Sequence, residues 1–369
     1  MRSEEQLNLL LRLGRVRWGL LVAAVCLMVI GLATVHSASS ELAIDYLPRQ
    51  AAWIGIGLVL LLVAFSIDYQ LLIAFAWPLY GLSIASLLLI LVVGQEAGGA
   101  RSWFGLGGFG GQPAEFAKLA TALILARYLA NANLRRLSVP QTLAAIGLTA
   151  APMLLIAAER DLGSAAMFVP LAGGMLVVAG LSWRVLVTGL VIALIVVGLV
   201  WTFAMYDYQK QRVLTFLNPE SDPLGAGYQL KQSKIAVGSG EFLGRGYMQG
   251  TQSQLRFLPA RHTDFVLAVL AEEWGFLGIA VVLFLYAVYF FNGAEIALRA
   301  QDRAGVLLVI GLLSAFGFHV LYNTSMVIGL VPITGIPLPL LSYGGSFMVA
   351  NLIAIGLILG VDFRRHVNR

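Results

Sequence analysis

The chain has 369 residues, of which 59% are apolar or aromatic and 12% charged, with a mean hydropathy of +0.85. An average soluble domain carries about 25% charged residues, so an ordinary soluble enzyme is excluded, as is a disordered chain, which would be charge-rich and poor in apolar residues. A single cysteine, Cys26, rules out an intramolecular disulfide. The net charge of +5 would suggest nucleic acid in a soluble protein. Basic residues also collect in the cytoplasmic loops of membrane proteins, so their placement matters more than their number.

A helix needs about 20 apolar residues to cross the hydrocarbon core. Taken in chain order, ten runs meet that need: residues 18–36, 51–67, 71–94, 114–130, 141–157, 164–182, 185–205, 265–291, 304–327 and 346–361. Ten spans return both termini to one side. With that side cytoplasmic, the inner segments hold 13 of the 24 Lys and Arg residues, among them Arg12, Arg15, Arg17, Arg135, Arg136, Arg299, Arg303, Arg364 and Arg365. The short outer loops hold only Arg49, Arg101 and Arg160. The first run has the flanks of a signal peptide but is too long for its apolar region, and reads as an uncleaved helix. These features predict an all-α polytopic integral membrane protein of about ten transmembrane helices, a single membrane domain over 1–369. One large extracytoplasmic loop, 206–264, lies between the seventh and eighth helices. No internal repeat is visible.

The candidate chemistry collects at the outer ends of the spans. Glu115 and Lys118 are three residues apart on one helix face just after Pro113, where a structural ion pair and a functional pair are equal readings. The stretch 100–108 is Gly-rich but lacks the GK[ST] ending of a phosphate cradle, and reads as an interfacial loop anchored by Trp103. Glu159, Arg160 and Asp161 follow the fifth span, where Asp161 can join a shared cavity or be a solvated loop-tip charge. In the long loop, a short helix over 227–237 puts Lys231 and Lys234 on one face, able to collect lipid phosphates or to be merely solvated. Asp264 stands where the chain enters the eighth span, as a general base of raised pKa or as a helix cap. Glu272 and Glu273 fall about 12 Å deeper, and at least one is expected to pair inside the bundle. The four histidines lack zinc spacing, so a metal would be an oxygen-bound Mg²⁺ or Mn²⁺.

Gln112-Pro113-Ala114-Glu115 with Lys118, Asp161-Leu162-Gly163, Asp222 to Gln229, Arg261-His262-Thr263-Asp264-Phe265, Ala271-Glu272-Glu273, and Gly335 to Pro339 with Ser342 to Ser346 together resemble the SEDS family (shape, elongation, division and sporulation). The six motifs occur in order over nearly the whole chain. The resemblance implies a ten-helix peptidoglycan glycosyltransferase of cell-wall elongation, set in a bacterial inner membrane with its site outside. It would polymerise lipid II, with a class B penicillin-binding protein and other elongation-complex membrane proteins as partners. It also implies Asp264 as the catalytic residue, with Glu115, Lys118 and Asp161 in the central cavity and Arg49 and Arg101 at the diphosphate. Lys231 and Lys234 join them as substrate-binding candidates. A divalent cation is expected to assist, with no organic cofactor and no nucleic acid. Ala114 stands where the family usually has Ser, and Ala260 where it commonly has Glu. A lipid II flippase or a non-catalytic scaffold for a penicillin-binding protein are the alternatives; a transport site would sit near the midplane, whereas these residues fall near the outer boundary.

Overall fold

In lipid, each backbone N–H and C=O must find its partner within its own segment, so the long apolar runs have one stable form, the helix. The computed structural model describes residues 14, 16–40, 44–97, 100–105, 110–132, 136–203, 205, 207–223 and 225–365. Among the described residues, eight helices are long and apolar enough to cross a membrane: α1 (Trp18–Ser39), α2 (Leu47–Ser66), α4 (Ala76–Val93), α6 (Val139–Ala158), α9 (Trp183–Phe203), α13 (Val266–Arg299), α14 (Arg303–Val327) and α15 (Gly345–Arg364). The short α3 (Tyr69–Ala74) precedes α4, separated from it by Phe75. The other two expected runs are also helical. They are α5 (Pro113–Ala130), which carries the Glu115–Lys118 pair, and the interrupted α7 (Leu162–Ala166) and α8 (Phe168–Val178).

Local sequence explains the helix starts. Pro113 occupies the first turn of α5, where a missing N–H costs nothing. Ser138 and Gln141 form a reciprocal capping box at the head of α6, and Asp302 caps α14 by accepting from Gly305 N at 2.5 Å. α15 is the centre of the bundle. It packs along α2 and touches α5, α13 and α14, while α13 lies on α1 and α14 on α8. In contrast, α9 has no buried residue among those described. Its exposed Leu194, Ile195 and Val197 are what lipid would cover.

Three departures from the sequence reading stand out. Gln95–Ala97 (β1) and Ala100–Trp103 (β2) pair as an antiparallel ribbon, so the stretch leading to the cavity is not simply a loop. The segment 206–264 is largely ordered into α10 (Asp207–Leu217), a 3₁₀ turn (Pro219–Ser221), α11 (Ala226–Ser239) and α12 (Thr251–Gln254). The short helix expected over 227–237 is α11. The eighth run, expected to end near 291, continues to Arg299 and is broken at Gly275, whose φ of 64° is open to glycine at little cost. The break frees the Glu272 and Glu273 carbonyls, which accept from Arg245 N and Gly246 N, both at 3.0 Å. In return Phe276 N donates to Glu241 O at 2.9 Å and Leu277 N to Phe242 O at 3.1 Å.

Candidate active site

A cavity of about 650 Å³ opens at one end of the bundle, and Glu115, Arg160, Asp161, Arg212, Asp264 and His319 are among its walls. Asp264 is carried by a strongly tethered backbone. Ala260 O, turned inward by a positive φ of 50°, accepts from the N–H groups of Thr263 and Asp264 at 3.1 Å each. Asn323 Nδ2 donates to both Asp264 O at 2.8 Å and Ile336 O at 2.7 Å. Ser342 Oγ donates to Thr263 O at 2.6 Å and accepts from Leu338 N at 2.8 Å. The chain around Asp264 is therefore stitched to the Ile336–Tyr343 loop by buried hydrogen bonds, which are strong in a low-dielectric setting.

The capping reading of Asp264 is corrected by the geometry. Helix α13 starts at Val266 with Phe265 at its N-cap and no side-chain cap bond. The carboxylate is thus left to the cavity. Burial pushes its pKa up to about 6, opposed by the nearby Arg212 guanidinium and the Thr263 side chain. Gly335, at φ 75°, leaves room beside it: a Cβ there would stand 3.7 Å from Asp264 Oδ2. His262 stacks on Tyr46 with ring centroids 4.4 Å apart, and burial together with Arg261 pushes its pKa down.

Asp161, by contrast, is a helix cap. Its Oδ1 accepts from Ser164 N at 2.9 Å, and its Oδ2 from Ser164 Oγ at 2.8 Å and Gln112 Nε2 at 2.9 Å. It lines the cavity but spends its lone pairs on holding α7 and the head of α5. Just before it, Glu159 is buried with neither carboxylate oxygen hydrogen-bonded. Burial, and then the charge of Asp161, push its pKa up to about 8.

Glu115 and Lys118 form a buried ion pair, Nζ lying 2.8 Å from Oε2 and 3.0 Å from Oε1. Lys118 is only 7% exposed and is not among the cavity-lining residues, which include Glu115 and His319 in front of it. Of the remaining expected cations, none whose side chain is described lines the cavity. Arg49 is exposed and bonds to Tyr343, itself a cavity residue. Lys231 and Lys234 are exposed on α11 and do not line the cavity. The Arg101 side chain lies outside the described residues, although its strand backbone leads into Trp103 at the cavity wall. Among the described residues, the cations that do reach the cavity are Arg160 and Arg212. Glu272 and Glu273 are both buried and pair as expected, with hydrogen-bond donors rather than cations. Glu272 accepts from Gln252 N at 2.9 Å and Thr251 Oγ1 at 3.1 Å, and Glu273 from Ser37 Oγ. Among the described residues no group of three His, Cys, Asp or Glu side chains is close enough to hold a metal by itself.

The family model described as cell cycle protein, covering FtsW, RodA and SpoVE, matches residues 16–367. The chain belongs to this family. Its relatives include the peptidoglycan glycosyltransferase MrdB of Escherichia coli K12, 40% identical over 94% of this chain and 93% of the other. Stage V sporulation protein E of Bacillus subtilis is 37% identical over 93% and 96%. Among solved structures, a peptidoglycan synthase complex, described as coordinating polymerization and crosslinking, has a chain that superposes with a TM-score of 0.82 at 35% identity, over 95% of this chain and 98% of that one. RodA of Thermus thermophilus superposes at 0.71 with 32% identity and the same coverage. The SEDS resemblance is borne out, and the chain is a multi-pass membrane protein.

Arg212 and His319 are ionisable cavity residues that the sequence pattern does not single out. Arg212 sits on a helix inside the long loop, and nothing in its local pattern distinguishes it from the other six basic residues there. His319 did carry a signal. An ionisable side chain within an apolar span is a site candidate in its own right, whatever its spacing from other histidines.

Proposed function

We propose that this chain is a peptidoglycan glycosyltransferase that polymerises lipid II at the outer face of a bacterial inner membrane, with Asp264 as general base. The observation that carries the reading is Asp264 itself: fixed by half-buried hydrogen bonds to its backbone and its neighbour's, released from helix capping, and raised to a pKa of about 6 within a cavity that also holds arginines. A base works best when its pKa lies near the operating pH. Asp264 takes the proton of the acceptor GlcNAc 4-hydroxyl as that oxygen bonds to the anomeric carbon of the donor MurNAc. The bond from that carbon to the diphosphate breaks, α is inverted to β, and undecaprenyl diphosphate leaves with the bonding electron pair. Arg212 and Arg160 are the cavity cations suited to the negative charge that develops on the leaving group. Glu115 and Asp161 shape the wall, Asp161 by holding Gln112 and Ser164.

Asp264 is the cavity carboxylate that would help hold a divalent cation, since the described residues supply no group of three protein ligands, and the cation would supply charge neutralisation to the leaving diphosphate. The outer placement is supported by where the polar groups stand. Asp264 precedes α13, Asp161 caps α7 and Glu115 lies in the first turn of α5, all at helix ends rather than mid-span. A class B penicillin-binding protein partner is supported by the likeness to a chain of a synthase complex that couples polymerization to crosslinking. The deciding test gives the purified chain, alone and with that partner, labelled lipid II and resolves the products by length. A glycan ladder is expected; unreacted lipid II in both arms would overturn the reading.

A further inference from the structure

His319 sits mid-way along α14, 4% exposed, with one edge on the cavity and the other against Lys118. Its Nε2 lies 3.2 Å from Lys118 Nζ and its Nδ1 3.4 Å from Pro337 O. An ammonium group only donates, and a carbonyl only accepts. The one arrangement that makes both contacts attractive is a neutral imidazole with its proton on Nδ1 and its lone pair on Nε2. Lys118 then has all its Nζ contacts defined: the two Glu115 oxygens, the imidazole lone pair, and the Phe347 ring, whose centroid is 5.6 Å away. A buried ammonium is costly unless it is both ion-paired and hydrogen-bonded. Here Glu115 supplies the charge and His319 the further acceptor.

We propose that His319 is a positioning residue of the candidate site, a neutral acceptor that locks Lys118, and through it Glu115, into a closed Glu115–Lys118–His319 unit forming one wall of the cavity. The proposal rests on the glycosyltransferase reading. The unit carries no net charge, so it orients the substrate by shape and by the directed Glu115 oxygens. Removing the acceptor leaves Lys118 with an unspent donor, free to swing and take Glu115 with it. A displacement of about 1 Å in such a wall can lower turnover by about 10²-fold.

The test uses the full chain with its activating partner and labelled lipid II. His319→Leu, which fills the space without a lone pair, is expected to lower kcat by about 10- to 100-fold with little change in KM. His319→Gln, whose amide can accept from Lys118 and donate to Pro337 O, is expected to restore at least about a third of the wild-type kcat. In a Lys118→Met background, adding His319→Leu should cost nothing more, because the histidine acts through the lysine. Equal losses for Leu and Gln, or additive losses in the double variant, would overturn the proposal. A second readout does not depend on activity: the ¹⁵N spectrum of histidine-labelled wild-type protein in lipid, assigned by difference against His319→Gln. A protonated Nδ1 with a bare Nε2 is expected, and a protonated Nε2 would overturn the proposal even in protein that fails to turn over. Absence of polymer from wild type itself would instead count against the glycosyltransferase reading.

Discussion

The two ends of the bundle use charged residues in opposite ways. At the end away from the cavity, Arg17 pairs with Glu295, which also holds Arg299, while the Arg17 backbone N–H donates to Asp362 at 2.7 Å. There Arg303 spends its guanidinium on the carbonyls of Ala132 and Ala179 at 2.7 and 2.8 Å, and Arg364 on those of Phe65 and Ser66 at 3.0 and 2.7 Å. These side chains tie helix ends together. At the cavity end, Asp264 and Arg212 share an open space, and the closed Glu115–Lys118 pair lies beside it. A charged residue at a helix end is therefore uninformative by itself; whether its polar atoms are consumed by the fold separates the structural end from the chemical one.

Substitution at the two ends should break or sharpen that contrast. The largest effect is expected from Asp264→Asn, which keeps size and shape but cannot accept the proton. Polymer yield from labelled lipid II should fall by about 10² to 10⁴-fold, with partner binding retained. Near-normal polymer would end the base assignment. The wild-type pH profile should follow the same group. Because the active form is the carboxylate, the rate falls as pH drops through about 6, approaching about tenfold per unit below it. Lys118→Ala comes next, with an expected loss of about 10-fold or more in turnover from a chain that still elutes as a folded species; full activity would reduce the pair to a dispensable fold element.

At the opposite end, Arg303→Met should leave turnover unchanged. It should lower the melting temperature in detergent by a few degrees, since two buried carbonyls lose their donor at about 1–3 kcal/mol each. The smallest effect is expected at Glu159. Its folded pKa of about 8 lies above the usual 4.5, so the folded state holds a proton that the unfolded chain has lost. Stability then declines as pH rises from about 4.5 to 8. Glu159→Gln should flatten that decline and raise the melting temperature at pH 8, leaving it nearly unchanged at pH 4.5.

The membrane spans were legible because a 3.6-residue helix with an apolar surface all round has no other stable place. Asp264 was legible as a charge at a span boundary, but its freedom from capping was not, since that depends on Asn323 and Ser342, 59 and 78 residues away, fixing the backbone one residue off the cap position. Lys231 and Lys234 fell on the predicted helix face, yet the face turned to solvent, because which side of α11 meets α13 is decided by packing through Leu230, Ser233 and Ala236. The lysine–histidine contact spans 201 residues, from α5 to α14. No local spacing rule reaches that far.

The break at Gly275 is splinted rather than free. Residues 241–246 clasp both sides of the break: Arg245 and Gly246 donate to the Glu272 and Glu273 carbonyls before it, and Glu241 and Phe242 accept from Phe276 and Leu277 after it. Nine residues of helix put the carboxylate about 14 Å from the pivot. A tilt of only about 4° at one glycine would shift it by about 1 Å, the scale on which a reacting proton is either in reach or lost. The clasp around one glycine therefore keeps the aspartate's aim as fixed as the bundle from which it rises.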